Sequence, residues 1–303
     1  MPGNREPGMD QDYYAWSPLP HRKQLRWPDG ARVAFSVLVS VDYRAIDAPQ
    51  GDGLVQQLAD GPGGAPHPDL GGFTNAEYAL RVGIFRVMKV LDKYAIPVAV
   101  AMDAAVAERY PFIVAECKRR GWEFIGHGLM ANYPLTNRTP AAVERAYIER
   151  SLGALEHATG TRPVGWFGHD YQETSQTPAV LRELGVSYVL DWPNDEQPYT
   201  MHTEHGELVS LPPLVELDDA YALIHRRVTP WRWEQLVKDA FDTLFEEGAE
   251  TGKLLVLSLH ASVIGRAFRI RSLDNVLGYI TAQDGVWKAK AGDIAAWYRK
   301  LDS

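Results

Sequence analysis

Seven short runs of apolar and β-branched residues recur along the chain: RVAFSVLVSVD (32–42), IPVAVAM (96–102), EFIGH (123–127), VGWFGH (164–169), SYVLDW (187–192), LVSLP (208–212) and LLVLSLH (254–260). Each fits a buried strand. Between most of them, apolar residues recur at helical spacing: 75–94, 103–121, 139–160, 177–185 and 231–248. Thr139-Pro140 and Thr177-Pro178 suit helix starts, and Gly121, Gly160, Gly185 and Gly248 suit helix stops. Two further amphipathic helices, 270–283 and 290–301, follow the last strand. Seven strands alternating with helices predict a mostly parallel sheet. Right-handed crossovers can close such a sheet into a barrel.

The pattern fails in one place. Residues 47–75, DAPQGDGLVQQLADGPGGAPHPDLGGFTN, are rich in Gly, Pro and Asp and read as a long loop, either a flap over one end of the domain or an oligomer contact. Residues 1–30 read as a polar, proline-rich arm, and 31–303 as one barrel domain carrying that loop. The 303 residues have a formal net charge of -8, against the clustered basic surface that nucleic acid requires. No run reaches the roughly 20 apolar residues of a membrane span, and the first residues lack the apolar centre of a signal peptide, so a cytoplasmic protein is expected. The single cysteine, Cys117, excludes an intrachain disulfide and a cysteine-based zinc site, and its helical surroundings predict an inert core thiol.

Polar residues collect at one kind of position. Asp42, His127, His169, Asp191 and His260 each stand at, or just beyond, the C-terminal end of a predicted strand. In parallel barrels that end carries the chemistry. Taken singly, each could be a strand-end hydrogen-bonding residue, and that plain reading is the better one for Asp191. His127, in EFIGHGLMANYPL, has no second histidine within a helical turn. It could be a ligand, an acid/base or a core residue.

The order of landmarks resembles the polysaccharide deacetylase (NodB-homology) superfamily: an acid after the first strand, GHG around His127, RPVGWFGH in the middle and a late SLH. RWPDGARVA, EYALRVGIFRVMKVLDKYAIPVAV, TRPVGWFG and LSLHASVIGRAFRI are similar to the branch of metal-independent allantoinases and cyclic imide hydrolases. The resemblance covers most of the chain and implies a distorted (β/α)7 barrel. Metal-dependent members bind their ion through one Asp and an H-x-x-x-H pair. Here Ala131 stands four residues after His127, and Tyr43 and Arg44 stand where the ligand Asp is expected. One ligand of three survives on that alignment, so no metal and no other cofactor is expected.

The resemblance therefore implies hydrolysis of a non-peptide C–N bond in a small cyclic amide, imide or ureide. Asp42 would be the base, its pKa raised by burial, His260 the acid for the leaving nitrogen, and His127 a donor to the oxyanion. Trp166 could offer a flat face to a planar ring, though core packing suits it as well. His169 and Tyr171 could reach a ligand, and Arg266 could bind a carbonyl or carboxylate. Glu77 and Arg81, four apart on a helix, suit an ion pair or a site-facing role. Asp218 and Asp219 more often cap or solvate a loop than pair as acid and base. The alternatives are a metal-dependent carbohydrate N-deacetylase and an inactive binding protein on the same scaffold. A small-molecule substrate is expected, with no nucleic-acid or membrane partner. The resemblance further implies a homo-oligomer, dimer or tetramer.

Overall fold

The computed structural model describes residues 8–47, 68 and 70–302. Its strands are β1 (Val33–Val41), β2 (Val98–Met102), β3 (Glu123–Gly126), β4 (Gly165–Trp166), β5 (Tyr188–Val189), β6 (Tyr199–Thr203), β7 (Gly206–Ser210), β8 (Lys253–His260) and β9 (Val286–Lys288). They form one sheet in the order β6-β7-β5-β4-β3-β2-β1-β8, with β9 added on β1. Every pairing is parallel except the β6–β7 hairpin. Among the described residues no pairing joins β6 to β8, so the sheet is a curled half-barrel. The seven expected strands are all present. β6 and β9 are additions: YTMHT alternates too weakly to announce itself, and VWK is only three residues long.

Helices α1 (Leu70–Tyr78), α2 (Ile84–Lys93), α3 (Ala104–Arg109), α4 (Pro111–Arg119), α5 (Ala141–Thr159), α6 (Thr177–Glu183), α7 (Pro230–Glu247), α8 (Ile270–Thr281) and α9 (Ala291–Asp302) complete the fold. Two expected helices are interrupted. Residues 75–94 contain a π-turn at Ala79–Gly83, and 103–121 breaks at Tyr110, which precedes Pro111. Most of the 47–75 segment lies outside the described residues, so its expected role as flap or oligomer contact does too. Its end is helical rather than loop, since α1 begins at Leu70.

The period of two along the strands sorts side chains onto two faces. In β1, Val33, Phe35, Val37, Val39 and Val41 face an outer core with residues of α2, α7 and α8, whereas Ala34 and Leu38 face an inner one. In β8, Leu255, Leu257 and Leu259 lie outside, and Leu254 and Val256 inside. Ile125, Phe167, Tyr188 and Leu190 also belong to the inner core, which Ile294 and Ala295 of α9 help to fill. The described part of the arm packs on the body: Trp27 is buried and its indole nitrogen donates to the Lys253 carbonyl at 2.8 Å. Arg22 pairs with Asp195 at 2.6 Å.

Candidate active site

Extending that alternation past the strand ends shows which polar residues reach the inside. Asp42 keeps the parity of Leu38, His127 that of Ile125, His169 that of Phe167, and His260 that of Val256. Asp191 keeps the parity of Val189, which packs outside with Trp166. The four inward residues therefore converge at the C-terminal ends of β1, β3, β4 and β8.

His127 is fully buried and its Nδ1–H donates to the Phe167 carbonyl. Its other nitrogen, Nε2, lies 3.0 Å from Asp42 Oδ1. The His127 ring is stacked on Phe167, with centroids 5.2 Å apart, and tilted against His169 at 4.0 Å. His169 Nδ1 stands 3.9 Å from the same Asp42 oxygen. Among the described residues, neither Asp42 Oδ1 nor His169 Nε2, both buried, has a hydrogen-bond partner.

The loop after His127 is pinned on both sides. Gly128 has φ +96°, and a Cβ there would lie 2.2 Å from the Tyr147 hydroxyl, so a side chain has neither the angle nor the room. Ser151 Oγ accepts from the Gly128 N–H at 3.1 Å and donates to its carbonyl at 2.9 Å. Asn132 bonds both the N–H and the carbonyl of Ala45, at 3.0 Å each, and the Ala131 N–H donates to the Tyr43 carbonyl at 2.8 Å. The segment carrying Asp42 is thus held against the segment carrying His127.

Electrostatics differ among the four. Burial alone would raise the Asp42 carboxyl, but His127 beside it, with His169 and His260 beyond, holds it well below the usual range. That corrects the expectation of a raised pKa, and with it the idea of a strong base. Burial, reinforced by His127 and His260, pushes His169 far down, so its imidazole is neutral near pH 7. His260 moves the other way. Burial opposes its charge, yet Asp218 and Asp219 hold it well above the ordinary histidine value. Asp219 Oδ1 accepts from His260 Nδ1 at 2.8 Å and from the His260 backbone N–H at 2.9 Å, and Oδ2 accepts from the Ile264 N–H at 2.9 Å. Burial raises Asp219 itself to about 6. Asp218 and Asp219 are both buried, not solvated, and Asp219 is the partner that sequence reasoning passed over.

Other expected contacts fall elsewhere. Trp166 is completely buried in a separate apolar cluster with Leu152 and Leu181, so it is packing and offers no face to a ring. Arg81 is 72% exposed and pairs with Glu77 at 3.6 Å on the surface, which leaves the plain helix ion pair. Arg266 stacks on Tyr78 at 3.8 Å and bonds Asn75 Oδ1 at 2.6 Å and its carbonyl at 3.0 Å, so its guanidinium ties the β8 loop to α1. Tyr171 packs edge-on against Phe167, and its hydroxyl donates to Asp218 at 3.0 Å, joining the His169 turn to the Asp218–Asp219 pair.

Asp191 lies outside the four but close by. Its Oδ1 accepts from the Gly168 N–H at 2.6 Å, immediately before His169. Burial lifts Asp191 to about 7 and, with the Asp191 charge, lifts Glu173 well above its ordinary value. Burial thus biases both carboxyls toward their protonated forms.

The count of one surviving metal ligand needs correction. The local sequence lacks a second histidine, but the fold brings His169 to it from the next strand. One ligand atom from each of Asp42, His127 and His169 lies within 4.8 Å of the others. One carboxylate and two imidazoles, one of them with its far nitrogen bonded to a backbone carbonyl, suit a divalent transition ion.

Residues 81–189 match the polysaccharide deacetylase family, a stretch that includes His127 and His169. A protein of Schizosaccharomyces pombe provisionally named a polysaccharide deacetylase is 28% identical over 244 residues, 74% of this chain and 75% of that one. The crystal structure of the allantoinase PuuE superposes with a TM-score of 0.81 at 25% identity, covering 92% of this chain and 94% of that one. A provisionally named polysaccharide deacetylase from Pseudomonas aeruginosa PAO1 gives 0.80 at 27% identity, covering 92% and 95%. Among the described residues no helix is long and apolar enough to cross a membrane.

Proposed function

Because the chain carries a polysaccharide deacetylase (NodB-type) domain, whose relatives are hydrolases of carbon–nitrogen bonds, we propose that it hydrolyses a non-peptide C–N bond in a small cyclic amide, imide or ureide. The observation that carries this is the meeting of two units at one sheet end: Asp42 with His127 and His169, and His260 backed by Asp219.

Hydrolysis adds water to the carbonyl carbon, breaks the C–N bond and returns a proton to nitrogen. His260 is suited to the last step. Its Nδ1 is held by Asp219, which leaves Nε2 to face substrate, and the two acids keep the ring protonated. Asp42 stays ionised and can orient the attacking water by accepting its hydrogen. In the cation-free site, neutral His169 beside it can take up the proton that water sheds. His127, with Nδ1 spent on Phe167, holds Asp42 in place rather than offering that N–H to an oxyanion. Asp42, His127 and His169 are the residues that would hold a divalent cation, which would supply carbonyl polarisation and a more acidic water.

The cyclic-amide reading is supported by the likeness to the allantoinase over nearly its whole length. A carbohydrate N-deacetylase is the second reading, favoured by the names of the Schizosaccharomyces pombe and Pseudomonas relatives. The test is a hydrolysis panel of allantoin, hydantoins and succinimides against N-acetylglucosamine oligomers. Turnover confined to the acetylated sugars, or absent throughout with the fold intact, would overturn the cyclic-amide proposal.

A further inference from the structure

We propose that Asp103, at the end of β2, is a positioning residue that fixes the Asp42 carboxylate against His127 by gripping the peptide that leaves Asp42. This deepens the hydrolase reading of the same site and rests on it for the purpose of the positioning, though not for its geometry.

The register of the sheet places the residue. Met102 pairs with Val41 on one side and with Gly126 on the other. The residues that follow these three are Asp103, Asp42 and His127, so Asp103 stands between the other two at one level of the sheet end. It keeps the parity of Ala99 and Ala101, which face the inner core. Asp103 is completely buried, and backbone occupies both of its oxygens. Oδ1 accepts from the Val106 N–H at 2.8 Å and so caps α3. Oδ2 accepts from the Tyr43 N–H at 2.7 Å. That N–H belongs to the peptide linking Asp42 to Tyr43, so the bond sets the direction in which Asp42 presents its side chain. The Ala131 N–H takes the Tyr43 carbonyl at 2.8 Å and fastens the next peptide as well.

The first turn of α3 holds the other half of the site. The Ala104 N–H donates to the Gly128 carbonyl at 2.9 Å, and the Ala105 N–H to the Leu129 carbonyl at 3.0 Å. The segments leaving Asp42 and His127 therefore hang on one joint, residues 103–105. A helix cap alone does not explain an aspartate there. A cap takes one acceptor, which serine supplies without an ionisable group. A buried carboxylate is costly unless its oxygens are hydrogen-bonded. The oxygen that the cap leaves over is the one that reaches Tyr43.

The test compares wild type with Asp103→Ser and Asp103→Asn. Serine keeps the cap and drops the Tyr43 bond. Asparagine keeps the cap through its oxygen and sets its NH2 against the Tyr43 N–H. In both, kcat is expected to fall roughly 10–100-fold, the scale of a small misplacement of a reacting group, with KM little changed. A crystal structure of Asp103→Ser should show the 3.0 Å contact between Asp42 and His127 opened. Hydrogen exchange should find the Tyr43 amide protected in wild type and released in the serine variant. An unchanged kcat in a folded Asp103→Ser, or an unmoved Asp42 in its crystal structure, would leave Asp103 a helix cap and overturn the proposal. Should neither variant fold, the wild-type Tyr43 amide decides: rapid exchange overturns the proposal and protection sustains it. If wild type hydrolyses no C–N substrate, the hydrolase reading falls, while the place of Asp42 in the serine variant still decides the positioning.

Discussion

His260 can be an acid at neutral pH because two buried acids, Asp218 and Asp219, stand against its ring. A lone buried histidine loses its proton easily, whereas this one is held protonated by the Asp218 and Asp219 charges against the pull of burial. His260→Ala is expected to lower kcat roughly 10²–10⁴-fold, the range of general acid catalysis, with little change in Tm. Asp219→Asn should keep the geometry and change the titration. The acid form is lost as pH rises through the His260 pKa, so removing a charge that raises it should move the alkaline limb of the kcat profile toward lower pH. An unmoved limb in the Asn variant would assign Asp219 to structure alone. The His260 position was legible in the sequence, since it ends an apolar run at the reactive end of a parallel sheet. Its partner was not. Two adjacent acids in a loop look the same whether they face water or a histidine, and only the packing of the β7–α7 connection against β8 buries them.

At the scale of elements, alternation along strands carried more than residue type did. It places Asp42, His127, His169 and His260 together and sends Asp191 to the other face, although all five are strand-end polar residues. Trp166 and Phe167 obey the same rule, which is why the tryptophan is core. Helix continuity was harder to read, because the break at Ala79–Gly83 depends on a neighbour distant in sequence. A Cβ on Gly83 would lie 2.2 Å from the Ala261 carbonyl, just after His260. Gly83→Ala should therefore cost about 1–3 kcal/mol through overpacking and lower Tm by several degrees in a melting experiment. Because the displaced carbonyl adjoins the acid, kcat should fall as well. A variant that melts normally would show that the helix can give way there.

The whole molecule carries a buried acid pair whose titration bears on stability. Asp191 rises from 3.8 to about 7 in the folded state, and Glu173 rises with it. A carboxyl raised on folding favours the folded state at low pH and loses that contribution as pH rises through its folded pKa. Denaturant titrations are thus expected to give a midpoint that declines between about pH 4 and pH 7 on account of Asp191, with Glu173 acting in the same direction. Glu173→Gln should flatten the decline and raise stability at pH 8 by about 1–2 kcal/mol. A steeper decline in the Gln variant would mean that the pair is ionised and paired in some other way. The arm acts at the same scale. β6 is the outermost strand on its side of the sheet, and the Tyr13 carbonyl accepts its His202 N–H at 2.6 Å, while Tyr13 and Tyr14 pack on Trp192. An open strand border invites pairing with another chain. A protein shortened to begin near Leu25 should keep its catalytic groups and yet self-associate, which light scattering on dilution would reveal. The segment around Tyr13 and Tyr14 then acts as a selvedge, a finished border that keeps one sheet from being woven into the next.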